Sequence, residues 1–142
     1  MAGAQWLAIV LGVYVAIVIA FETLVMVMGA RQAARGLEPG EDWLAIATSD
    51  ANGSRETIVA GVESDGQLYI SANHWLRGWH RRALENPEIE VTRNGVRLPY
   101  RATAVSGAER ERIVRDYPLP WAIRFLTGFP PRLFLRLDAR PG

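Results

Sequence analysis

The run Trp6–Ala30, WLAIVLGVYVAIVIAFETLVMVMGA, carries one charge in its whole length, Glu22. As a helix, about 25 residues rising ~1.5 Å each reach roughly 37 Å, enough to cross a hydrocarbon core of ~30 Å with some tilt. An acidic residue at mid-bilayer costs roughly 3 kcal/mol on the insertion scale, whereas each Leu, Ile, Val or Phe returns about 0.3–0.6. The segment holds about a dozen such residues, so insertion wins, and Glu22 lies in its C-terminal third, where the cost is lower. The sequence predicts a transmembrane helix over residues 1–30. A cleaved signal peptide fits poorly, because no basic stretch precedes Trp6 and the apolar run is too long. A buried core helix is the remaining alternative.

Flanking charge predicts the orientation. Arg31 and Arg35 come directly after the helix and nothing before Trp6 is basic, so the positive-inside rule places the C-terminal domain in the cytoplasm. Glu22 has two readings. An intramembrane carboxylate is a candidate for handling protons or ligands. The preferred reading is a near-interface side chain that snorkels or pairs with a neighbouring helix.

Gly36, Pro39 and Gly40 mark a linker over residues 31–42, leaving residues 43–142 for one modest domain of the 142-residue chain. The net charge is +1 and no Lys/Arg run resembles a nucleic-acid patch, so no nucleic-acid partner is expected. The chain has no cysteine, which excludes disulfides, thiolate metal sites and a Cys nucleophile. With only two histidines, His74 and His80, a His-rich metal site is not expected.

The domain reads as mainly β. Trp43–Thr48, Glu56–Val62, Gln67–Ser71, Glu88–Arg93, Val96–Val105 and Arg132–Leu137 carry strand patterns, with hairpin signals at Asp65-Gly66 and Asn94-Gly95. About six short antiparallel strands with tight turns predict a small barrel or sandwich. Two short helices interrupt them. Trp75–Glu85 has an apolar stripe of Trp75, Trp79 and Ala83, with Leu76 and Leu84 beside it, and Arg77, Arg81 and Arg82 mostly on other faces. Ala108–Asp116 begins with Ser106 and Glu109, the pattern of a capping box. Trp121, Phe125, Phe129 and Phe134 alternate with Arg124, Arg132 and Arg136, which suits either a bilayer headgroup region or a barrel core with solvated arginines.

No nucleotide loop, catalytic triad or zinc motif is present. The segment Ser71-Ala-Asn-His-Trp-Leu-Arg-Gly-Trp-His-Arg-Arg82 is the candidate site. A strand hands over to a helix there, and the first free amides of a helix form an anion site. Asn73 is positioned to cap that end. Arg77 and Arg81, four apart, could clamp a phosphate, with Arg55 a further candidate. Trp75 and Trp79 could stack on a planar ring, although helical spacing also suits core residues. His74 and His80 lie in the same dozen residues.

Gly78-Trp-His-Arg-Arg-Ala-Leu-Glu-Asn-Pro87, Ile89-Glu-Val91, Asn94-Gly95, Tyr100-Arg-Ala102 and Ser106–Arg112 together resemble the deazaflavin-dependent nitroreductase and quinone-reductase family over about Trp43–Leu137. The resemblance implies a split β-barrel, the fold also used by flavin-mononucleotide enzymes such as pyridoxamine-phosphate oxidase. It implies a deazaflavin (factor 420 type) or FMN cofactor, held near Ser71, Ala72, Asn73 and Trp79, with Arg55 and Thr57 at the position of the family's glycine-rich loop. That loop here reads Asn52-Gly-Ser-Arg55, without the usual Ser-Gly pair or Lys. Arg82-Ala83 stands where the family has Asn-Leu. The function implied is a membrane-anchored oxidoreductase acting on a quinone-like or nitroaromatic lipophilic acceptor beside the bilayer. A homodimer is the assembly implied, and Tyr69 and Tyr100 could donate protons. The alternatives are a non-catalytic membrane-tethered ligand carrier and a structural subunit whose helix pairs through Glu22.

Overall fold

The computed structural model describes residues 2–34, 43–75 and 78–141. The expected linker glycines and proline, together with Arg35, Leu76 and Arg77, lie outside the described residues. Six strands come after the N-terminal helix α1 (Ala2–Ala34): β1 (Trp43–Asp50), β2 (Gly53–Ser64), β3 (Gln67–Ala72), β4 (Glu88–Arg93), β5 (Val96–Ala104) and β6 (Leu133–Ala139). They close into an antiparallel barrel in the order β1-β2-β3-β6-β5-β4, so each strand is paired on both sides over part of its length. The remaining helices are α2 (Gly78–Glu85), α3 (Gly107–Asp116) and α4 (Trp121–Leu126). The last of these was not expected from the sequence.

Strand alternation sorts the side chains. Leu44, Ile46, Val59, Ile70, Ile89, Val91, Leu135 and Leu137 fill the barrel interior, and Trp79 and Ala83 of α2 join them. Tyr69 and Phe134, on the outward face of neighbouring strands, pack with Ile113 of α3 in a second cluster. Full burial stabilises each large apolar side chain by about 1.5–3 kcal/mol. The Asp65-Gly66 and Asn94-Gly95 turns both have two positive φ angles, 54° and 72°, then 52° and 74°. That is the mirror-image turn whose twist matches paired strands.

Three local expectations are corrected. Ser106 is the N-cap of α3 but its side chain makes no capping bond. Glu109 instead accepts hydrogen bonds from Tyr69 Oη at 2.8 Å and Arg136 Nη1 at 3.2 Å, because an outward-facing tyrosine and arginine on β3 and β6 reach it first. Asn73 does not serve as an N-cap residue; its amide bonds Ser71 Oγ at 3.0 Å, and α2 begins five residues later. Along α2 the buried residues are Trp79, Arg82 and Ala83, whereas Leu84 is exposed. Arg82 turns inward because its Nε donates to the buried Thr48 Oγ1 at 3.0 Å.

Helix α1 is apolar on every side, and the stretch Gly3–Arg31 is long and apolar enough to cross a membrane. One stripe of it nevertheless meets the barrel. Tyr14 Oη donates to Phe125 O at 3.0 Å, Val18 packs on Gly128, and Glu22 Oε1 lies 2.8 Å from His74 Nδ1. These positions are four apart, which places them on one helix face. Glu22 therefore meets His74 of the chain's own barrel domain.

Candidate functional site

At the end of β3 the chain leaves the barrel, turns through Asn73–Trp75 and enters α2. Beside this turn, β6 begins by pairing Leu133 with Ala72. A cleft of about 370 Å³ lies between them. Ala72, His74 and Trp75 wall one side, Gly78, His80 and Arg81 another, and Leu133 of β6 with Pro131 just before it closes the cleft. The walls are mostly apolar with one cation at the rim, the balance usual for a small-molecule site.

Each wall is fixed from behind. Trp75 Nε1 donates to Thr127 O at 2.7 Å, and Thr127, fully buried, donates back to Ile123 O at 2.9 Å. The indole is pinned to the end of α4 while 45% of the residue stays exposed. His74 is held by Glu22, and both side chains are largely covered. His80 packs edge-on to Trp79 at 5.7 Å between ring centroids. Burial lowers its pKa from the ordinary 6.5, so its imidazole is neutral at pH 7. Arg81 projects into solvent, with Glu85 at 3.9 Å its partner.

Ser71 and Asn73 are not among the cleft's described lining residues. Arg132 Nε donates to Asn73 Oδ1 at 3.4 Å, and the Arg132 guanidinium lies 5.3 Å above the Phe134 ring.

Of the residues expected from sequence, Ala72, His74 and Arg81 come together on the cleft, whereas Ser71 and Asn73 bond each other beside it in the chain. Trp79 is buried in the barrel interior. Arg55 and Thr57 are not among the cleft's described lining residues. In register they oppose Thr48 and Ile46, and so share the inward face of β2. They lie on the stretch of β2 beyond its last pairing with β3, Ala60 with Ser71. Tyr69 is buried, and burial and then Glu109 raise its pKa above the usual 10.0. It serves the α3 interface rather than the cleft. Sequence reasoning missed Glu22 as the partner of His74, and Pro131 and Leu133 as walls. Among the described residues no group of His, Asp or Glu could hold a metal.

No family model and no curated protein matches the chain. Solved structures do match, and they show the fold. HutZ, the heme storage protein from Vibrio cholerae, superposes with a TM-score of 0.51 at 15% identity, covering 72% of this chain and 84% of that one. Atu2129 from Agrobacterium tumefaciens, of unknown function, gives 0.56 at 22% identity over 71% of this chain, which spans 49% of that protein. A protein described as a domain-swapped dimer gives 0.56 at 20% identity, covering 77% of this chain and 96% of its own.

Proposed function

We propose that the chain is a membrane-anchored oxidoreductase that holds a deazaflavin or flavin mononucleotide in the cleft beside the β3–α2 turn and reduces a quinone-like or nitroaromatic acceptor. The observation that carries this reading is the cleft itself, about 370 Å³ with a half-exposed, pinned indole on one wall and an arginine at its rim. Its volume falls in the range of about 300–1,000 Å³ usual for ligand pockets. A bound cofactor of this class supplies hydride transfer. The protein's part is to bind and orient it. Trp75 offers a flat face for a tricyclic ring. Arg81 stands where it would take a phosphate. Ala72, Pro131 and Leu133 exclude water. His80, neutral, can exchange a hydrogen bond with ring polar atoms. Trp79 supports α2 from beneath rather than meeting the ring.

Helix α1 would hold the barrel at the bilayer, where quinones partition, with Arg31 and Arg35 on the cytoplasmic side. Two chains would pair as a homodimer, as in the domain-swapped structure of similar fold.

The test is a titration of the detergent-solubilised full chain with flavin mononucleotide and with deazaflavin, read by cofactor fluorescence. Arg81→Gln should weaken binding about tenfold, equivalent to ~1.4 kcal/mol. Trp75→Ala should weaken it comparably, and wild-type protein loaded with chemically reduced cofactor should pass two electrons to a quinone, leaving the cofactor oxidised. Binding of neither cofactor removes the proposal.

A second reading, a non-catalytic tethered carrier, is favoured by the neutral imidazole of His80 on the cleft wall, which could ligate a haem iron. The heme storage protein HutZ has a similar fold. A Soret band on adding hemin, lost in His80→Ala, with no flavin bound, would select this reading.

A further inference from the structure

On the barrel, Arg93, Arg97, Arg101, Arg136 and Arg140 each hold a carboxylate. Arg110, Arg124 and Arg132 do not: among the described residues no carboxylate lies within ion-pairing distance of any of them. Yet these three gather at one place. Arg110 Nε donates to Arg132 O at 3.0 Å. Arg132 is 8% exposed. Its pKa is lowered from the ordinary arginine value, first by burial and then by the Arg124 and Arg110 charges, which both act on Arg132. Uncompensated like charges beside a buried guanidinium are unfavourable unless an anion is supplied from outside.

Next to this cluster lies an aromatic surface. Trp121 is 68% exposed, and Ile123, Phe125 and Phe129 are exposed as well. Trp121 stacks on Phe125 at 5.2 Å, and Phe129 stands edge-on to both, at 6.3 and 6.4 Å. The Arg124 guanidinium lies 5.6 Å over the Phe129 ring. The patch is continuous with α1, because Tyr14 packs on Phe125 at 4.8 Å.

The spacing along α1 sets a depth. Gly3–Phe21 has no charged residue and rises about 28 Å, close to the ~30 Å hydrocarbon thickness. Glu22, paired with His74, then marks one boundary. Tyr14 lies about 12 Å along the axis from Glu22, less in depth once the helix tilts. Phe125, which touches Tyr14, and Trp121 stacked on it would therefore sit below the headgroups, while the arginines near Asn73 and β6 sit closer to them. Aromatic side chains with neighbouring arginines are the chemistry of that layer.

We propose that α4 and the Arg110–Arg124–Arg132 cluster form a docking site for anionic phospholipid: the aromatics enter the leaflet that α1 occupies, and the guanidiniums take the headgroup phosphate. This rests on the membrane reading of α1. It also sets the approach to the cleft, since Trp75 is bonded to the end of α4 and His74 to α1. A lipophilic acceptor would reach the cleft from the bilayer without passing through water.

The chain has no cysteine, so single cysteines can be spin-labelled without background. Trp121→Cys, Ile9→Cys and Val96→Cys would be labelled in full-length protein in nanodiscs of phosphatidylcholine with phosphatidylglycerol. Ile9 reports α1. Val96 sits at the β4–β5 hairpin, the barrel end where Arg93 pairs with Glu63, opposite the β3–α2 turn. Labels at 9 and 121 should be more accessible to oxygen than to a water-soluble nickel chelate, and the label at 96 the reverse. If 121 behaves like 96 while 9 remains in lipid, the docking proposal fails and the anchor stands. If 9 is also aqueous, both fail. If 121 is shielded from both reagents and shows spin–spin coupling, a second copy covers the patch and the proposal is overturned.

The headgroup arm measures phosphatidylglycerol retained by the detergent-extracted protein, by native mass spectrometry. Wild type should retain it over phosphatidylcholine. Arg124→Gln, an exposed change, should reduce that preference about fivefold, and adding Arg132→Gln should abolish it. Equal retention of both lipids, or displacement of the lipid by millimolar inorganic phosphate, would overturn the lipid assignment.

Discussion

Gly128 tests whether α1 docks on the barrel as the structure shows. Its φ is +75°, and a Cβ there would lie 3.0 Å from Val18 Cγ1 and 3.3 Å from Trp75 Nε1. Gly128→Ala thus carries two separable penalties. Left-handed backbone costs an L-residue about 1–2 kcal/mol wherever α1 is. The overlap with Val18 and Trp75 costs about 1–2 kcal/mol more, and the Val18 share exists only when α1 is docked. The expected total is about 2–4 kcal/mol. Gly95→Ala is the control: its φ is +74° with nothing within 4 Å of the added carbon, so it should cost about 1–2 kcal/mol and no more.

Val18→Ala removes the two methyls that the new Cβ would meet. Alone it sacrifices a half-buried contact, about 1 kcal/mol. Combined with Gly128→Ala it should relieve part of the overlap, so the double variant should be more stable than the sum of the singles by about 1 kcal/mol. Unfolding of the four proteins in detergent, followed by near-ultraviolet circular dichroism across a urea series, closes the cycle. Strict additivity would mean that Val18 does not lie on Gly128, and the docked arrangement, with the Glu22–His74 contact, would have to be given up.

Arg82→Ala should destabilise the barrel by about 2 kcal/mol, measured by urea unfolding, because it empties a buried site and takes away the Thr48 partner; a loss below about 0.5 kcal/mol would place Arg82 in solvent. Acid should act in two stages. His80 is depressed by burial from 6.5, so the unfolded chain protonates first and stability falls as pH drops below that value; His80→Gln should remove this stage from a pH series of thermal midpoints. At lower pH, Asp138, held below its ordinary 3.8 first by a hydrogen bond from Arg136, loses its contribution. Glu109 joins it, since bonds from Tyr69 and Arg136 outweigh the opposing effect of burial and keep it below 4.5. Both carboxylates stabilise the fold above those ordinary values and cease to do so as pH falls through their folded ones.

The strands were legible because each has a local signature. Ile89 and Val91 alternate with Glu90 and Thr92, and the Asp-Gly and Asn-Gly pairs demand the positive φ angles found there. The strand pattern alone left barrel and sandwich open, since the β3–β6 and β1–β4 pairings join segments distant in sequence; the family resemblance pointed to the barrel that the structure has. Helix α4 was hidden because its six residues, bracketed by prolines and aromatics, are too few for a hydrophobic period to emerge. The capping-box pattern at Ser106 and Glu109 misled for a related reason. Local capping competes with any tertiary partner, and a tyrosine and an arginine on adjacent strands won Glu109.

The site was legible only as far as local chemistry reaches. The strand-to-helix handover marked Ala72, His74 and Arg81, but which arginine faces inward depends on a distant hydroxyl, Thr48 for Arg82. Glu22 shows the same limit from the other side. Read along the helix it is an expensive charge among apolar residues. In three dimensions it sits on the stripe of Tyr14 and Val18, and its cost is offset by His74 from the cleft wall. Tyr14 and Glu22, two of the few polar groups within the apolar run, both face the barrel. A helix selected for hydrophobicity alone has no reason to align them, whereas one that also packs on the barrel does.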